Sequence, residues 1–380
     1  MSASLYQPVH CRPVREARQQ RAWYRQAGLS MIELMVAVTI GAVLIFGATQ
    51  VYLNSTASYG VNETVARMQE TARYAMSIIE PDVRMSNYWG LLKGAAVVFN
   101  QAPQTSPPAA VAPGVAANAC GNNFAVDLNT NLQGDNDGYV LSATRTPACD
   151  ALPDLTTGIP WVTNAVVTAD TLTVRRASVF TINVAAPGPV GTLQVCTTRI
   201  AGFVTAALAA CPGGGIGQLQ NLIVNTYYVD RFSAQSANLP SLHRKTLTTA
   251  GGVPVFRDQE LIAGVEDMQI QFGIDTFGNT GIAQRYVDPN GVPPGAQIVA
   301  VRIWLLVRSD TPENGFVDNR VYQYGDRLAA TGVTGDLNSA AGAGMAYQPS
   351  LSPNATFNGP QHVRRLLISR TIQVRNALGT

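Results

Sequence analysis

The side chains that could do chemistry are few, and the most conspicuous are four cysteines. They are Cys120, Cys149, Cys196 and Cys211, and a fifth, Cys11, lies in a basic N-terminal segment. An even number of cysteines is typical of disulfides when a domain is exported. Three pairings are possible, and we favour 120–149 with 196–211 because each closes a short loop. The alternative is four buried free thiols. Zinc is disfavoured because the chain has no CxxC pair and only three scattered histidines.

Three aspartates could bind a metal ion. Asp127, Asp135 and Asp137 lie in a segment rich in asparagine and glycine that ends in Gly138. Carboxylate oxygens in such a loop can bind calcium, although the terminal glutamate of an EF-hand loop is missing. The same residues are typical of an Asx-rich turn that leads into a strand. We take calcium as the weaker interpretation and predict no metal and no cofactor.

Catalytic spacings are missing from the sequence. It contains no HExxH, GxSxG, GxxxxGK or CxxC pattern. The glycines that follow Cys211-Pro212 lack the last glycine of a dinucleotide-binding fingerprint and are typical of a turn. We therefore predict that the protein is not an enzyme.

Charge is scarce and unevenly placed. Charged residues make up 13% of the 380 residues, against about 25% in ordinary soluble proteins. Residues 1–28 carry five arginines and one glutamate, a net charge of +4, which leaves −2 for the rest of a chain whose total is +2. Four C-terminal arginines could touch DNA, but such residues more often form a solvated strand face or protect a strand edge from aggregation (Arg364, Arg365, Arg370 and Arg375). We expect no nucleic-acid binding.

An uncharged apolar run follows the basic segment. No charged side chain occurs in residues 34–62, and residues 34–53 are mostly apolar. Twenty residues of helix span about 30 Å, the thickness of the hydrocarbon core of a bilayer. The upstream arginines should stay on the cytoplasmic side of the membrane, so the C-terminal part should be exported.

Gly28 and Glu33 stand at the start of this run. A carboxylate inside a membrane costs about 2.5–3.5 kcal/mol and needs a partner, such as a newly created N-terminal amine. The sequence Gly28-Leu29-Ser30-Met31-Ile32-Glu33-Leu34 resembles the prepilin motif. The resemblance implies cleavage by a prepilin peptidase after Gly28, N-methylation of Leu29 and a role for Glu33 in setting the register of stacked subunits. Leu29 departs from the phenylalanine that the family most often has there. The alternative is a plain signal anchor with a stray glutamate.

The helix is predicted to continue to about residue 86. Apolar residues recur at steps of three and four, which predicts one buried stripe (Val61, Val65, Met68, Ala72, Met76, Ile79 and Val83). Pro81 should kink the helix or end it one turn early.

The remainder of the chain is predicted to be rich in β structure. Glycine and proline together account for 56 residues, which favours strands joined by loops. Strands are predicted at 138–142, 171–180, 190–197, 222–231, 265–274, 297–307 and 365–375. The run at 297–307 has the pattern of a central strand buried on both faces. Residues 101–119 and 332–360 are predicted to be long loops.

Five stretches, in this order, resemble the PilW-type minor pilins of type IV pilus systems. They are residues 170–174, 227–230, 241–244, 264–273 and 301–308. The J-class minor pseudopilins of type II secretion are related but usually shorter. The resemblance implies a type IV pilin-like α+β fold, in which a long N-terminal helix packs on a mostly antiparallel β-sheet head.

The resemblance also implies a domain organisation and a location. The cleaved leader would be residues 1–28, the transmembrane and assembly helix 29–53, its amphipathic continuation 54–86 and the exported head 87–380. The protein would cross the bacterial inner membrane once, with its C-terminal domain in the periplasm, and later join the pilus at the cell surface.

The function implied by the resemblance is pilus assembly. Such proteins form a priming or tip complex and support twitching motility or adhesion. The expected partners are other minor and major pilins, the prepilin peptidase, the inner-membrane assembly platform and the membrane itself. One alternative is a tip adhesin whose loops at 101–137 and 332–360 contact a surface ligand. Another is a minor pseudopilin of a type II secretion system.

Overall fold

One long α-helix, α1, spans Met31–Arg84 in the computed structural model. The structure describes residues 28, 30–101, 124–137, 166, 168–182, 189–206, 217–234, 236, 239–277, 280–313, 315–335, 337, 342–351 and 361–377. The chain divides into two compact units, Met1–Gly60 and Val61–Thr380. Residues of α1 contribute to both units.

The part of α1 in the second unit is amphipathic, as predicted. Its buried side chains recur at steps of three and four (Met68, Ala72, Ala75, Met76, Ile79, Asp82 and Val83). The predicted stripe is confirmed from Met68 onward, while Val61 and Val65 are only half-buried. The helix ends three residues after Pro81, close to the predicted position.

Fourteen strands are described, and most of them belong to two sheets. They are β1 Val98–Phe99, β2 Leu132–Asp135, β3 Thr171–Thr181, β4 Leu193–Thr197, β5 Gly202–Ala206, β6 Gln218–Asp230, β7 Ser241–Ala250, β8 Val253–Ala263, β9 Val265–Asp275, β10 Arg285–Val287, β11 Gln297–Arg308, β12 Leu328–Thr334, β13 Met345–Tyr347 and β14 Arg365–Gln373. The eight-stranded sheet has the order β1-β5-β4-β6-β3-β2, with β7 beside β6 and β8 beside β7. The four-stranded sheet has the order β10-β9-β11-β14, and β12 pairs with β13.

The described pairing is antiparallel apart from β1 with β5 and β12 with β13, so the predicted mostly antiparallel head is confirmed. Strands β3, β9 and β11 agree with predicted runs to within one residue at each end. Strand β11 lies between β9 and β14, which confirms its central position. The predicted strand at 138–142 lies outside the described residues, as does nearly all of the predicted loop at 101–119.

Two predictions of secondary structure were wrong. Strands β7 and β8 were not predicted, because β7 carries consecutive charged side chains and β8 contains Pro254 as well as several charges. They are held by ten residue pairs from Ser241↔Ala263 to Ala250↔Val253. The second error is the loop at 332–360, which contains the end of β12 and all of β13. The glycine- and alanine-rich sequence of this region does not show the strand pattern, and β12 and β13 pair with each other.

Two hydrophobic cores fill the second unit. The larger contains the buried stripe of α1 together with side chains from β3, β6, β9 and β11. The smaller surrounds Trp89 and includes side chains from β4, β5 and β8. Strands β3 and β6 pass through both cores, because Leu172 and Tyr227 belong to the first while Ala177 and Val224 belong to the second.

Candidate assembly site

Glu33 lies in the first turn of α1. The backbone N–H groups of Glu33 and Leu34 donate to the Ser30 carbonyl oxygen at 3.0 and 3.1 Å, so the helix begins directly after Ser30. The Ser30-x-x-Glu33 spacing is that of a capping box, and a negative charge in the first turn suits the positive end of the helix dipole. Gly28 is described as non-helical, and Leu29 lies outside the described residues. The predicted cleavage position is therefore next to the helix start.

The helix surface that follows Glu33 is apolar and exposed. An 18-residue window of α1 has a mean hydropathy of 2.3, and none of it is buried within the chain. The hydroxyls of Thr39, Thr49 and Thr56 donate to carbonyls three or four residues earlier, so these polar groups are satisfied within the helix. Such a surface can be covered by lipid or by other helices.

In the second unit, Asp82 anchors α1 to the large sheet. Its Oδ1 accepts from Arg176 Nη2 at 2.7 Å, while its Oδ2 accepts from Asn225 Nδ2 at 2.5 Å and Tyr227 Oη at 2.6 Å. Burial and the Asp82 charge raise the pKa of Tyr227 well above its ordinary value, so the phenol remains a donor. One buried carboxylate thus joins the helix end to β3 and β6.

On β9, Asp267 organises a fully buried ion pair. Arg327 Nε donates to Asp267 Oδ2 at 2.6 Å, and neither side chain is exposed. The Tyr324 hydroxyl also donates to Asp267, and Arg327 Nη2 donates to the Thr168 carbonyl oxygen at 2.6 Å. Burial and the Asp267 charge raise the pKa of Tyr324 well above its ordinary value. The group fixes the segments before β3 and β12 to β9.

The neighbouring residue, Glu266, forms the second buried group. Its carboxylate accepts from Arg365 Nε at 2.5 Å and Nη2 at 3.0 Å, and from Tyr347 Oη at 3.1 Å. Arg308 Nη1 lies 3.7 Å from the same carboxylate. Side chains of consecutive strand residues point to opposite faces, so Glu266 and Asp267 serve opposite sides of β9.

Asp170 closes part of the edge of β9. Its backbone N–H donates to the Met268 carbonyl oxygen at 2.8 Å, and its Oδ2 accepts from the Ile270 N–H at 2.7 Å. Its Oδ1 accepts from the Asp137 N–H at 2.9 Å.

Asp137 itself has a shifted pKa. Burial is the larger cause and the charge of Asp326 the next, and together they raise the pKa of Asp137 to about 7.

The three aspartates that were considered as a weaker calcium alternative do not form a metal-binding group in the described part of the chain. Among the described residues, no group of three or more histidine, cysteine, aspartate or glutamate side chains could hold a metal ion. Asp127 interacts electrostatically with Arg175, whereas Asp137 lies beside Asp170 and Asp326. The Asx-rich turn interpretation fits better, since Asp137, two residues after the end of β2, has a φ of 49°.

Three of the four C-terminal arginines that were considered for DNA contact form ion pairs within the chain. Arg364 pairs with Glu313 at 2.5 Å, Arg365 pairs with Glu266, and Arg370 pairs with Glu80 of α1. A solvated basic face is therefore wrong for Arg365, which is buried, whereas Arg364 is partly exposed and Arg370 is exposed.

Ser241, His243 and Asp258 form a linear hydrogen-bonded group on β7 and β8. His243 Nε2 lies 2.9 Å from Ser241 Oγ, and His243 Nδ1 lies 2.8 Å from Asp258 Oδ2. The Ser241 hydroxyl is buried and donates to the Phe232 carbonyl oxygen at 2.5 Å, so it anchors a loop. Burial lowers the pKa of His243. The hydrogen bond to Asp258 and the negative charges of Asp258 and Asp230 outweigh burial, so the pKa of His243 is raised overall.

Cys196 is disulfide-bonded. Its partner and the other three cysteines lie outside the described residues, so the favoured pairing stays a prediction.

Sequence reasoning missed the buried charges of the head. The available signal was the charged pair Glu266-Asp267 beside Val265 and Met268 in a strand with apolar residues at alternate positions from Met268 onward, because a charge that such a strand buries needs a partner. The partners, Arg365 and Arg327, carry no local pattern that marks them.

Comparisons with known proteins find two matching family models. Residues 226–376 match the model described as Type IV Pilus-assembly protein W, and residues 23–49 match the Prokaryotic N-terminal methylation motif. No curated protein matches. A solved type IV-like pilin from Thermus thermophilus is similar, at 12% identity over 56% of this chain and 79% of that chain, with a TM-score of 0.23. The first match includes Glu266 and Asp267, and the second includes Glu33.

Proposed function

We propose that the chain is a PilW-type minor pilin of type IV pilus assembly, that α1 holds it in the inner membrane, and that it primes or caps the pilus. The matches to the PilW model and to the methylation motif support the membrane-anchored pilin. The observation that carries the proposal is Glu33, a carboxylate in the first turn of a helix that stays uncharged to residue 62. Such a helix can be stored in lipid and then transferred to a bundle of pilin helices.

The proposed maturation begins at Gly28. A prepilin peptidase would cut the chain after Gly28, and the new amine of Leu29 would be methylated. Glu33 of one subunit would then attract the N-terminal amine of a neighbouring subunit, which sets the axial register of the fibre. The attraction is strong because both charges lie in a medium of low dielectric constant.

The orientation follows from the charge of the leader. Five arginines precede the apolar run, so residues 1–28 would face the cytoplasm and the head would lie in the periplasm. The partners would be other pilins and the inner-membrane assembly platform. A head of this size suits a position at the tip, where no further subunit must stack above it.

Substitution of Glu33 tests the proposal. We expect Glu33→Ala to be cleaved and inserted normally but to be lost from sheared pili, with pilus number falling as in a deletion strain. Immunoblots of membranes and sheared fibres, with retraction disabled, measure both quantities. Glu63→Ala is the matched control, because Glu63 is an exposed glutamate on the same helix beyond the apolar run. Normal incorporation of Glu33→Ala would contradict the role of Glu33.

A further inference from the structure

A groove of about 530 Å³ lies between β2 and the start of β11. Its walls include Leu132–Gly134 of β2, Gln297 and Ile298 of β11, and the turn at 292–296. Strand β2 is the last strand of the eight-stranded sheet, while β11 belongs to the four-stranded sheet. None of the described residues that line the groove is charged. A second groove beside α1 differs in this respect, because Arg67, Glu70 and Asp310 line it.

The polar side chains that line the uncharged groove include the amides of asparagine and glutamine residues. Two of them are oriented by their own neighbours. Asn131 Oδ1 accepts from the Leu132 N–H at 3.0 Å, and Gln133 Oε1 accepts from Arg175 Nη2 at 2.8 Å. Because a backbone N–H and a guanidinium can only donate, the amide atoms facing them must be oxygens. The NH₂ groups of Asn131 and Gln133 make no hydrogen bond to any described residue.

Gln297 supplies the complementary group. Its Oε1 is buried and has no hydrogen-bond partner among the described residues. A buried polar atom without a partner costs free energy, which a ligand or water can recover. Asn129, which is exposed at the groove, also makes no hydrogen bond within the described part of the chain. The groove therefore presents amide donors and an acceptor together.

This arrangement restricts the chemistry of a ligand. A charged ligand would lose its hydration without meeting an opposite charge, and an apolar ligand would leave the amides unsatisfied. A hydroxyl group both donates and accepts, so a row of hydroxyls can satisfy Asn131, Gln133 and Gln297 at once. The carbon faces of Pro293 and Pro294 offer apolar contact for a ring. We propose that this groove binds a neutral saccharide.

An extended peptide is the competing ligand, and the edge of β2 disfavours it. A peptide strand added to β2 would need free backbone groups along that edge. The Leu132 N–H is already bonded to Asn131 Oδ1. Asn131 directly precedes β2 and is two residues from Gln133, so their Cα atoms are about 7 Å apart along the strand direction, a spacing that matches groups on one or two sugar rings.

Saturation-transfer NMR on the full chain tests the proposal. The protein is held in micelles of a detergent without a sugar headgroup, and the uncharged trisaccharides triacetylchitotriose, cellotriose and maltotriose are the probes. We expect the native chain to show saturation transfer to at least one trisaccharide. For Gln297→Leu we expect a dissociation constant at least about fivefold larger than that of the native chain. Gln373→Leu is the matched control, because Gln373 is exposed on β14 and does not line the groove. Unchanged circular dichroism shows that each variant is folded.

Three outcomes would overturn the saccharide site. The first is no saturation transfer to any of the three trisaccharides. The second is equal binding by Gln297→Leu and Gln373→Leu. The third is binding of an uncharged acetylated hexapeptide with no binding of saccharide, which would identify the groove as a peptide site. None of these outcomes bears on Glu33, so the assembly role is tested separately.

Discussion

At the scale of single residues, buried carboxylates hold the head together. Glu266, Asp267 and Asp82 each accept at least two hydrogen bonds from distant side chains. A buried ion pair adds little net stability compared with an apolar pair of the same shape, but removing one partner is strongly destabilising. These carboxylates therefore specify which segments meet.

Asp82 gives the clearest test of this role. We expect Asp82→Ala to lower the free energy of unfolding by about 3 kcal/mol, because Arg176, Asn225 and Tyr227 all lose their acceptor. Urea denaturation followed by circular dichroism measures the loss. Glu63→Ala is the control, since the Glu63–Arg67 pair is exposed and its loss should leave the midpoint unchanged. A midpoint for Asp82→Ala equal to that of the control would show that the carboxylate is dispensable.

Asp137 predicts a pH dependence of stability. Its pKa in the folded chain is about 7, against an ordinary value of 3.8, because burial and the charge of Asp326 raise it, the charge of Arg327 lowers it, and the charge of Asp267 raises it further. The folded state therefore holds a proton that the unfolded state releases above about pH 4. This contribution to stability is complete below pH 3.8 and is lost as the pH rises to about 7.

The Asp137→Asn variant cannot release this proton. We expect its unfolding midpoint to rise relative to the native chain between about pH 4 and pH 7 and to stay level above that. Urea titrations at a series of pH values measure the difference. Asp310→Asn, at an exposed carboxylate, should show no such trend. A constant difference between Asp137→Asn and the native chain would mean that Asp137 is ionised throughout.

The roles of some residues could be predicted from the sequence, while the roles of others could not. Gly28 and Glu33 could be predicted because their meaning depends on local spacing to a basic segment and an apolar run. Asp267 and Arg327 could not be paired, because 60 positions separate them and any of several arginines could have met that carboxylate. The amides of the groove were missed for the same reason, since β2 and β11 are adjacent only in the fold.

At the scale of elements, the spacing of apolar residues predicted those helices and strands that are buried on one face or on both faces. The stripe of α1 and the strands β3, β9 and β11 were found because apolar spacing dominates them. Strands β7 and β8 form a polar hairpin. Their backbone pairing identifies them as strands, whereas their amino-acid composition does not. Gly264, at the end of β8, marks the turn into β9, which apolar periodicity alone does not reveal.

Gly264 joins β8 to β9 in a conformation that favours glycine. Its φ is +93°, and a Cβ there would lie 3.2 Å from the Arg308 carbonyl oxygen. We expect Gly264→Ala to cost about 2 kcal/mol, from backbone strain and displacement of β11. Gly295→Ala is the matched control, because Gly295 has a φ of +79° and a Cβ added there would meet no atom within 4 Å. Equal thermal unfolding of the two variants would show that strain alone, without the close approach, sets the cost.

At the scale of the whole molecule, the two units differ in what stabilises them. An 18-residue apolar window of α1 contains no residue that the described part of the chain buries, whereas Val61–Thr380 contains both hydrophobic cores. The two cores share β3 and β6, so opening one removes packing from strands that the other needs. This continuity argues for a head that unfolds as one unit, despite its size.

Pulsed hydrogen exchange read by mass spectrometry tests this in the full chain in micelles. With rising urea, we expect peptides from β9 in the larger core and from β4 in the smaller core to lose protection at the same concentration. The apolar residues of α1 should remain protected beyond that point, because the micelle rather than the head covers them. If β4 opened at a distinctly lower urea concentration than β9, the smaller core would be an independent unit, and β3 and β6 would not couple the two cores.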